Sequence, residues 1–329
     1  MDFYTGKAVL VTGASGFIGS HVVETLLDRG ASVTAANLDH THQLRLPRNL
    51  LNSQHVEWVV GDLQDEEYCA DIVSEQDYII MCAANTSGAA VMASDPRVHV
   101  TPNIIMNARL IEAAALAKTK GLLFVSSSTV YPAGEDVMTE DRGFEGEPFH
   151  TYMGVGWMKR YTEKLCKFYS MKYGLRTVIV RPSNAYGPRD KFDPERSHMI
   201  PALIRRVVAR EDPFKVWGTG RDVRDFIYVK DLVDGMLTVL EHGDPADAVN
   251  IASGPQRAVT VKDVVDTIFE IENFHPQKVE YDSTKPSMIP IRLVSTVKAK
   301  NKFNVEAPTG FREGMRWTID WYKANSTKF

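Results

Sequence analysis

The sequence predicts an α/β protein: a doubly wound parallel sheet with a smaller C-terminal α/β lobe. Three observations predict it. Short runs of Val, Ile and Leu alternate with helical patterns through the first half of the chain. The runs lack the polar alternation of a strand with one wet face, so both faces of their sheet are covered. The first strand also enters the first helix through a glycine-rich turn, "VLVTGASGFIGSH".

Taken in order, "AVLVTG" (8–13) is the first strand and 17–29 the first helix. "SVTAAN" (32–37) and "VEWVVGD" (56–62) are the second and third strands, followed by a helix over 65–75. "YIIMCAA" (78–84) is the fourth strand, 99–119 a long helix, and "LLFVSSS" (122–128) the fifth strand. A second long helix covers 152–173, and "TVIVRP" (177–182) is the sixth strand. Small or polar residues end most of these strands, as expected where loops leave the sheet. Strand–helix alternation with right-handed crossovers gives the doubly wound arrangement. Residues 1–181 therefore form the first domain. After Arg181 the texture changes, with Pro182, Pro188, Pro194 and Pro201 punctuating a loop-rich region. Residues 182–329 are read as the second lobe. Within it, "DFIYVKDLVDGMLTVLEHG" (225–243) reads as a strand and a helix, and 225–252 is expected to rejoin the first domain.

The glycine turn carries the first functional expectation. Gly13 permits a tight turn, Gly16 lets backbone approach a pyrophosphate, and Gly19 lets the helix pack near the sheet. With Ser15, Phe17 and Ile18 between and beside them, the amide groups of the helix start face the phosphates and the helix dipole favours their charge. This is the dinucleotide site of a Rossmann domain. At the end of the second strand an acidic residue would hold the ribose 2′-hydroxyl; Asn37 stands there instead. An amide does not repel a 2′-phosphate, and His40, His42 and Arg45 follow. The cofactor is read as NAD or NADP, with Asn37 tilting the choice to NADP. Asp62 and Leu63 are placed to meet the adenine, and Ala83 and Ala84 to leave room for the cofactor.

Composition narrows the partners. The 329 residues are 44% apolar and 24% charged, with a formal charge of −4, which argues against nucleic acid or an anionic membrane as the main partner. No apolar run approaches the roughly 20 residues that span a bilayer. The N-terminus runs into a strand and shows no signal-peptide pattern. Cys69, Cys82 and Cys166 have neither metal-site nor redox-pair spacing, so buried free thiols in a reducing cytoplasm are expected.

The stretches "VTGASGFIGSH", "SSSTVYP", "VRPSNAYGPRD", "SHMIPALIRR", "VWGTGRDVRDFIYVKDL" and "DSTKPSMIPIRL" together resemble the extended short-chain dehydrogenase/reductase family of nucleotide-sugar epimerases, dehydratases and ketoreductases. The resemblance covers nearly the whole chain, and "YGPRDKFDPERSHMIPALIRR", "WGTG" and "DSTKP" are most similar to GDP-L-fucose synthase-like members. It implies a C-terminal lobe for a nucleoside diphosphate sugar, here GDP-linked, and hydride transfer at sugar C4. It implies a tyrosine that moves the hydroxyl proton, a lysine that lowers its pKa and holds the nicotinamide ribose, and a serine on the reacting oxygen. Ser127 matches the serine and Lys159 the lysine. Asn184 matches a residue near the substrate phosphates, Arg224 a diphosphate-binding arginine, and His198, Val216 and Trp217 lie where the nucleoside is held. Each has a plain alternative: loop hydrogen bonds, a surface ion pair or core packing. The resemblance further implies a homodimer packed through helices 99–119 and 152–173.

Three positions depart from the family pattern. The tyrosine position, four before Lys159, holds Val155, which cannot exchange a proton. The cysteine and histidine that fucose synthases use to invert C3 and C5 are Thr129 and Arg189 here, so 3,5-epimerisation in that manner is not expected while C4 chemistry survives. Tyr152 lies seven residues from Lys159, about 10.5 Å along a helix, and is read as packing at the helix start. The expectation is a 4-epimerase or 4-ketoreductase slowed by Val155. The valine is read as an engineered replacement, the alternative being a natural form with another proton path through Ser127 or Thr129 and water. A non-catalytic sensor of NAD(P) or nucleotide sugar is the other class the sequence allows.

Overall fold

The computed structural model describes residues 2–40, 46–86, 95–134, 136–194, 196–284 and 289–328. Its first domain is a seven-stranded sheet. The strands are β1 (Ala8–Thr12), β2 (Ser32–Asn37), β3 (Val56–Val60), β4 (Tyr78–Met81), β5 (Gly121–Val125) and β6 (Thr177–Pro182). After β7 (Asn184–Tyr186), β8 (Phe214–Trp217), β9 (Val223–Arg224) and β10 (Phe226–Tyr228), β11 (Asp247–Ile251) returns to complete it. The order is β11-β6-β5-β4-β1-β2-β3, and every pair is parallel. Strand order reverses between β1 and β4, which opens a crevice at their C-terminal ends.

Side-chain alternation divides the core into two layers. Val9, Val11, Val33, Ala35, Ile80, Leu123, Val178 and Val180 point to one face, where helix α1 (Phe17–Asp28) lies. Leu10, Ala36, Ile79, Leu122, Phe124 and Ile179 point to the other. After the short α2 (Arg48–Leu51), that second face is covered by α3 (Glu66–Val73), α4 (Thr101–Leu116) and α5 (Met153–Tyr173). With both layers buried, the strands need apolar residues at successive positions, which is why they read as unbroken Val/Ile/Leu runs. Each fully buried Val or Leu contributes about 1.5–3 kcal/mol. Asp65 caps α3 by accepting from the backbone N–H groups of Glu67 and Tyr68, and Gly174, at φ 74°, ends α5 in the left-handed region that an L side chain avoids.

The second lobe has its own core, including Tyr186, Phe192, Ile204, Phe214, Val216, Val264, Ile268, Met315 and Ile319. Its helices are α6 (Met199–Val208), α8 (Val261–Glu272) and α10 (Phe311–Asn325); α7 (Val229–His242) and α9 (Val297–Phe303) lie in the first domain's core with β11. The short strands β12 (Val259–Thr260) and β14 (Ile291–Arg292) flank β9, and β13 (Val279–Asp282) pairs with β8. The chain thus crosses between lobes more than once. Strand β10 straddles the two cores, with Phe226 and Tyr228 packed in the second lobe's and Ile227 in the first domain's, and α7 continues into the latter. Among the described residues, no helix is long and apolar enough to cross a membrane.

Candidate active site

Strands β1, β4 and β5 end side by side, and the site is built on their C-terminal ends. Gly13 takes φ 62°, and a Cβ on it would stand 2.8 Å from the Ala83 Cα. A Cβ on Gly19 would stand 2.1 Å from the Gly13 carbonyl oxygen. Only glycine therefore lets α1, β1 and the end of β4 meet this closely. Gly16 begins α1 with no side-chain cap, leaving first-turn amide groups at Phe17 and Ile18 directed to the crevice mouth. Asn37 Oδ1 accepts from both the Ser15 N–H (2.8 Å) and the Ser15 hydroxyl (2.7 Å), which pins the glycine loop to the end of β2. Its Nδ2 is buried without a partner. A cradle that any Cβ would fill, free helix-start amides and an orphaned amide donor fit a dinucleotide. Asp62 is exposed and accepts from the Gln64 N–H, Leu63 is half-buried, and Ala83 and Ala84 follow β4 at the crevice. His40 lies beyond β2; His42 and Arg45 fall outside the described residues.

The candidate serine and lysine come from the end of β5 and the start of α5. Lys159 is buried, donates from Nζ to the Val125 carbonyl at 2.8 Å, and lies 4.8 Å from the centre of the Phe124 ring. Burial brings its ammonium down from the ordinary lysine value to about 8, against the opposing pull of Glu163 and Cys82. Ser127, half-buried and two residues beyond Val125, accepts from the Thr129 N–H at 3.1 Å. The Thr129 hydroxyl is buried and unpartnered. Helix α5 presses on this segment at Gly156, where a Cβ would stand 2.7 Å from the Thr129 carbonyl oxygen. Val155, half-buried, sits one turn before Lys159 on the same helix face.

Tyr152 ends a short 3-10 turn (His150–Tyr152) just ahead of α5. Its ring faces the guanidinium of Arg292 at 4.3 Å, in the second lobe. Arg292 was not among the sequence's candidates. It sits opposite Arg224 across the parallel β14–β9 pair, so the two side chains share a face. Arg224 donates to the Val223 and Pro290 carbonyls and, at 3.3 Å, to Asp222. Arg292 has a buried, unpartnered Nη2, and burial, with Arg224 beside it, brings its pKa down to about 10. Among the described residues no carboxylate pairs with it. Two adjoining guanidiniums with a single half-buried acid, Asp222, could hold a dianion. Asn184 donates to the Asp225 carbonyl at 3.0 Å close by.

Other candidates lie elsewhere. Arg189 was expected at the substrate; its side chain turns onto α1 instead, bonding Glu24 (2.5 Å) and His21 (2.6 Å) from a backbone φ of 67°. Val216 is buried in the second-lobe core, since β8 alternates buried and exposed residues; this leaves Trp217 half-exposed. His198 starts α6 with Nδ1 3.7 Å from Asp190. Cys69, Cys82 and Cys166 are unpaired thiols, with burial pushing Cys69 up to about 11 and Cys82 to about 12. Among the described residues no cluster of metal-ligating side chains occurs.

The profile of the NAD dependent epimerase/dehydratase family matches residues 9–252, more than half of the chain. The chain belongs to this family. Its members are nucleotide-sugar epimerases, dehydratases and reductases, as the resemblance implies. This epimerase/dehydratase-family chain is 28% identical to a probable GDP-L-fucose synthase 1 of Oryza sativa subsp. japonica, over 97% of this chain and 93% of that one. It is 30% identical to the dTDP-4-dehydro-6-deoxy-D-allose reductase of Streptomyces bikiniensis, over 98% of each. Among solved structures, UDP-glucose 4-epimerase from Thermotoga maritima with UDP-glucose superposes with a TM-score of 0.84 at 27% identity, covering 97% of this chain and 99% of that one.

Proposed function

We propose that this epimerase/dehydratase-family chain acts as a nucleotide-sugar 4-ketoreductase or 4-epimerase in the cytoplasm, at a rate lowered by valine at position 155. The observation that carries the reading is the Lys159 hydrogen bond to the Val125 carbonyl, two residues before Ser127, with Val155 one turn earlier on the same helix. The bound nicotinamide would supply or take up the hydride at sugar C4. Gly13, Ser15, Gly16, Phe17, Ile18, Gly19 and Asn37 would hold the dinucleotide, and Lys159 its ribose. Asn37 presents an amide where a carboxylate would repel a 2′-phosphate, which favours NADP; the ratio of NADPH to NADH dissociation constants measures this.

Arg224, Arg292 and Asn184 would bind the diphosphate of the sugar nucleotide, with Tyr152 braced beneath Arg292. The likeness to GDP-L-fucose synthases favours a GDP-linked sugar. Exposed Met153, Trp157, Tyr161 and Phe168 line α5, and Ile105 and Leu116 lie exposed on α4, an apolar face that supports a homodimer through these helices.

Val155 removes a group whose acid–base help is typically worth 10²–10⁴-fold, or about 3–5 kcal/mol of barrier. Val155→Tyr should therefore raise turnover of the right nucleotide sugar at least tenfold, a threshold about ten times below the lower bound of that effect. The assay is absorbance of the reduced nicotinamide at 340 nm for a panel of 4-keto nucleotide sugars, and chromatographic separation of the C4 epimers for 4-hydroxy nucleotide sugars, whose epimerisation consumes no cofactor. A restored protein no faster than this one, on every member of the panel, would return the chain to a binding or sensing role.

A further inference from the structure

Resting on the reading above, we infer that Lys159 is the proton donor of this site, so that the chain works in the direction of C4 ketone reduction. The tyrosines and the carboxylate that could take its place are engaged elsewhere, and the Ser127 and Thr129 hydroxyls do not ionise near neutrality and can only relay a proton. Tyr152 is held at Arg292. The Tyr131 hydroxyl donates to Asn250 at 2.6 Å and accepts from Arg181 at 3.0 Å, so both of its bonds are taken by the buried Arg181 network. Glu163 is bound by Arg181 and by the Ser126 hydroxyl. Lys159 by contrast gives one N–H to the Val125 carbonyl, and two further N–H groups have no acceptor among the described residues. Val155, one turn earlier on the same face, contributes no polar atom that would stand between them and the crevice.

The groups that set the charge of Lys159 come from three elements. Beyond β4 stands Cys82, whose thiol burial pushes up to about 12 and keeps neutral. Strand β5 presents the Phe124 ring and the Val125 carbonyl. Its own helix presents Glu163 one turn on, already neutralised by Arg181. Burial wins over these, and the ammonium gives up its proton near pH 8 rather than above 10. At neutral pH the group is charged, which suits donating a proton and not removing one. In the step, the C4 carbonyl π bond breaks. Its carbon takes a hydride from a reduced nicotinamide dinucleotide, and its oxygen takes a proton from Nζ, directly or through the Ser127 hydroxyl. Neutral Lys159 is then reprotonated from solvent. A 4-epimerase must first deprotonate a C4 hydroxyl, which a charged lysine does not do.

The test uses the whole protein with NADPH and a nucleoside diphosphate 4-keto-6-deoxy sugar. Turnover should be level below pH 8 and fall about tenfold per unit above it. Lys159→Arg keeps the positive charge but cannot release a proton, so NADPH affinity should stay within about threefold while turnover falls at least 10²-fold. Tyr152→Phe should keep the basic limb. A readout independent of activity is the ¹³Cε lysine NMR signal of the NADPH-loaded protein that is missing in Lys159→Met, which should titrate near 8. A limb that persists in Lys159→Arg, or vanishes in Tyr152→Phe, or a Lys159 signal titrating above 10, overturns the inference while leaving the nucleotide-sugar reading standing. Turnover by neither this chain nor Val155→Tyr overturns both.

Discussion

Glu163→Gln should destabilise the protein by about 3 kcal/mol, because it neutralises one half of a buried ion pair. The carboxylate receives the Arg181 Nε at 2.9 Å, the Arg181 Nη2 at 2.6 Å and the Ser126 hydroxyl at 2.5 Å. Both side chains of the pair are 2% exposed. Burial alone would lower the pKa of Arg181, and Glu163 more than reverses it, so the guanidinium stays charged. Glutamine keeps one acceptor oxygen and loses the charge. Arg181 retains the Tyr131 hydroxyl and the Glu140 carbonyl as acceptors, which holds the cost near the lower end of the 3–5 kcal/mol typical of breaking a buried pair. In a fold with about 5–15 kcal/mol to lose, that is a large share, and it should lower the thermal midpoint by roughly 4–5 °C. Urea unfolding followed by circular dichroism gives the free energy directly. The double variant Glu163→Leu, Arg181→Met removes both charges and should recover most of the loss. A single variant within about 1 kcal/mol of the parent, or a double variant worse than the single one, would refute the assignment of a mutually dependent buried pair.

Arg292→Met removes a guanidinium with no acidic partner among the described residues, so the thermal midpoint should not fall. The KM for the nucleotide sugar should rise at least tenfold, the value of one lost charge-assisted hydrogen bond of about 1.5 kcal/mol, and an unchanged KM would remove Arg292 from the site. Phe168→Glu, on the exposed face of α5, should shift sedimentation equilibrium from dimer to monomer, and a parent chain that is monomeric at micromolar concentration would refute the dimer.

What the sequence made legible follows the length and periodicity of the elements. Strands β2 and β6 run over 32–37 and 177–182 as read, and β1, β3, β4 and β5 are shorter than their runs by one to three residues, because ends such as "SSS" and "CAA" leave the ladder where the site begins. The glycine turn was legible because its requirement is local: a positive φ at Gly13 and no room for a Cβ at Gly19. Strand β11, "DAVNI", was not read as a strand, since only its last three residues are buried and no periodic signal survives. Helix 152–173 starts one residue late, and that offset decides the fate of Tyr152, which a helix-long projection cannot show.

The substrate half of the site was harder to read for a specific reason. Arg224 and Arg292 meet on strands of two residues each, 68 positions apart by their numbering, where no pattern in the intervening sequence marks the pairing. Arg189 likewise sits at a left-handed backbone position that swings its side chain onto α1, and a motif match does not encode that direction. Side-chain direction alternates with each residue of a strand, so a slip of one position between β9 and β14 would carry Arg292 to the opposite face. The proposed diphosphate receptor therefore depends on a register held by a single pair of short strands, with the Tyr152 ring against Arg292 as a second restraint from the first domain. That contact joins the start of α5 to the second lobe, so on the proposed reading a sugar nucleotide that engages Arg292 would also act on the helix that carries Val155 and Lys159.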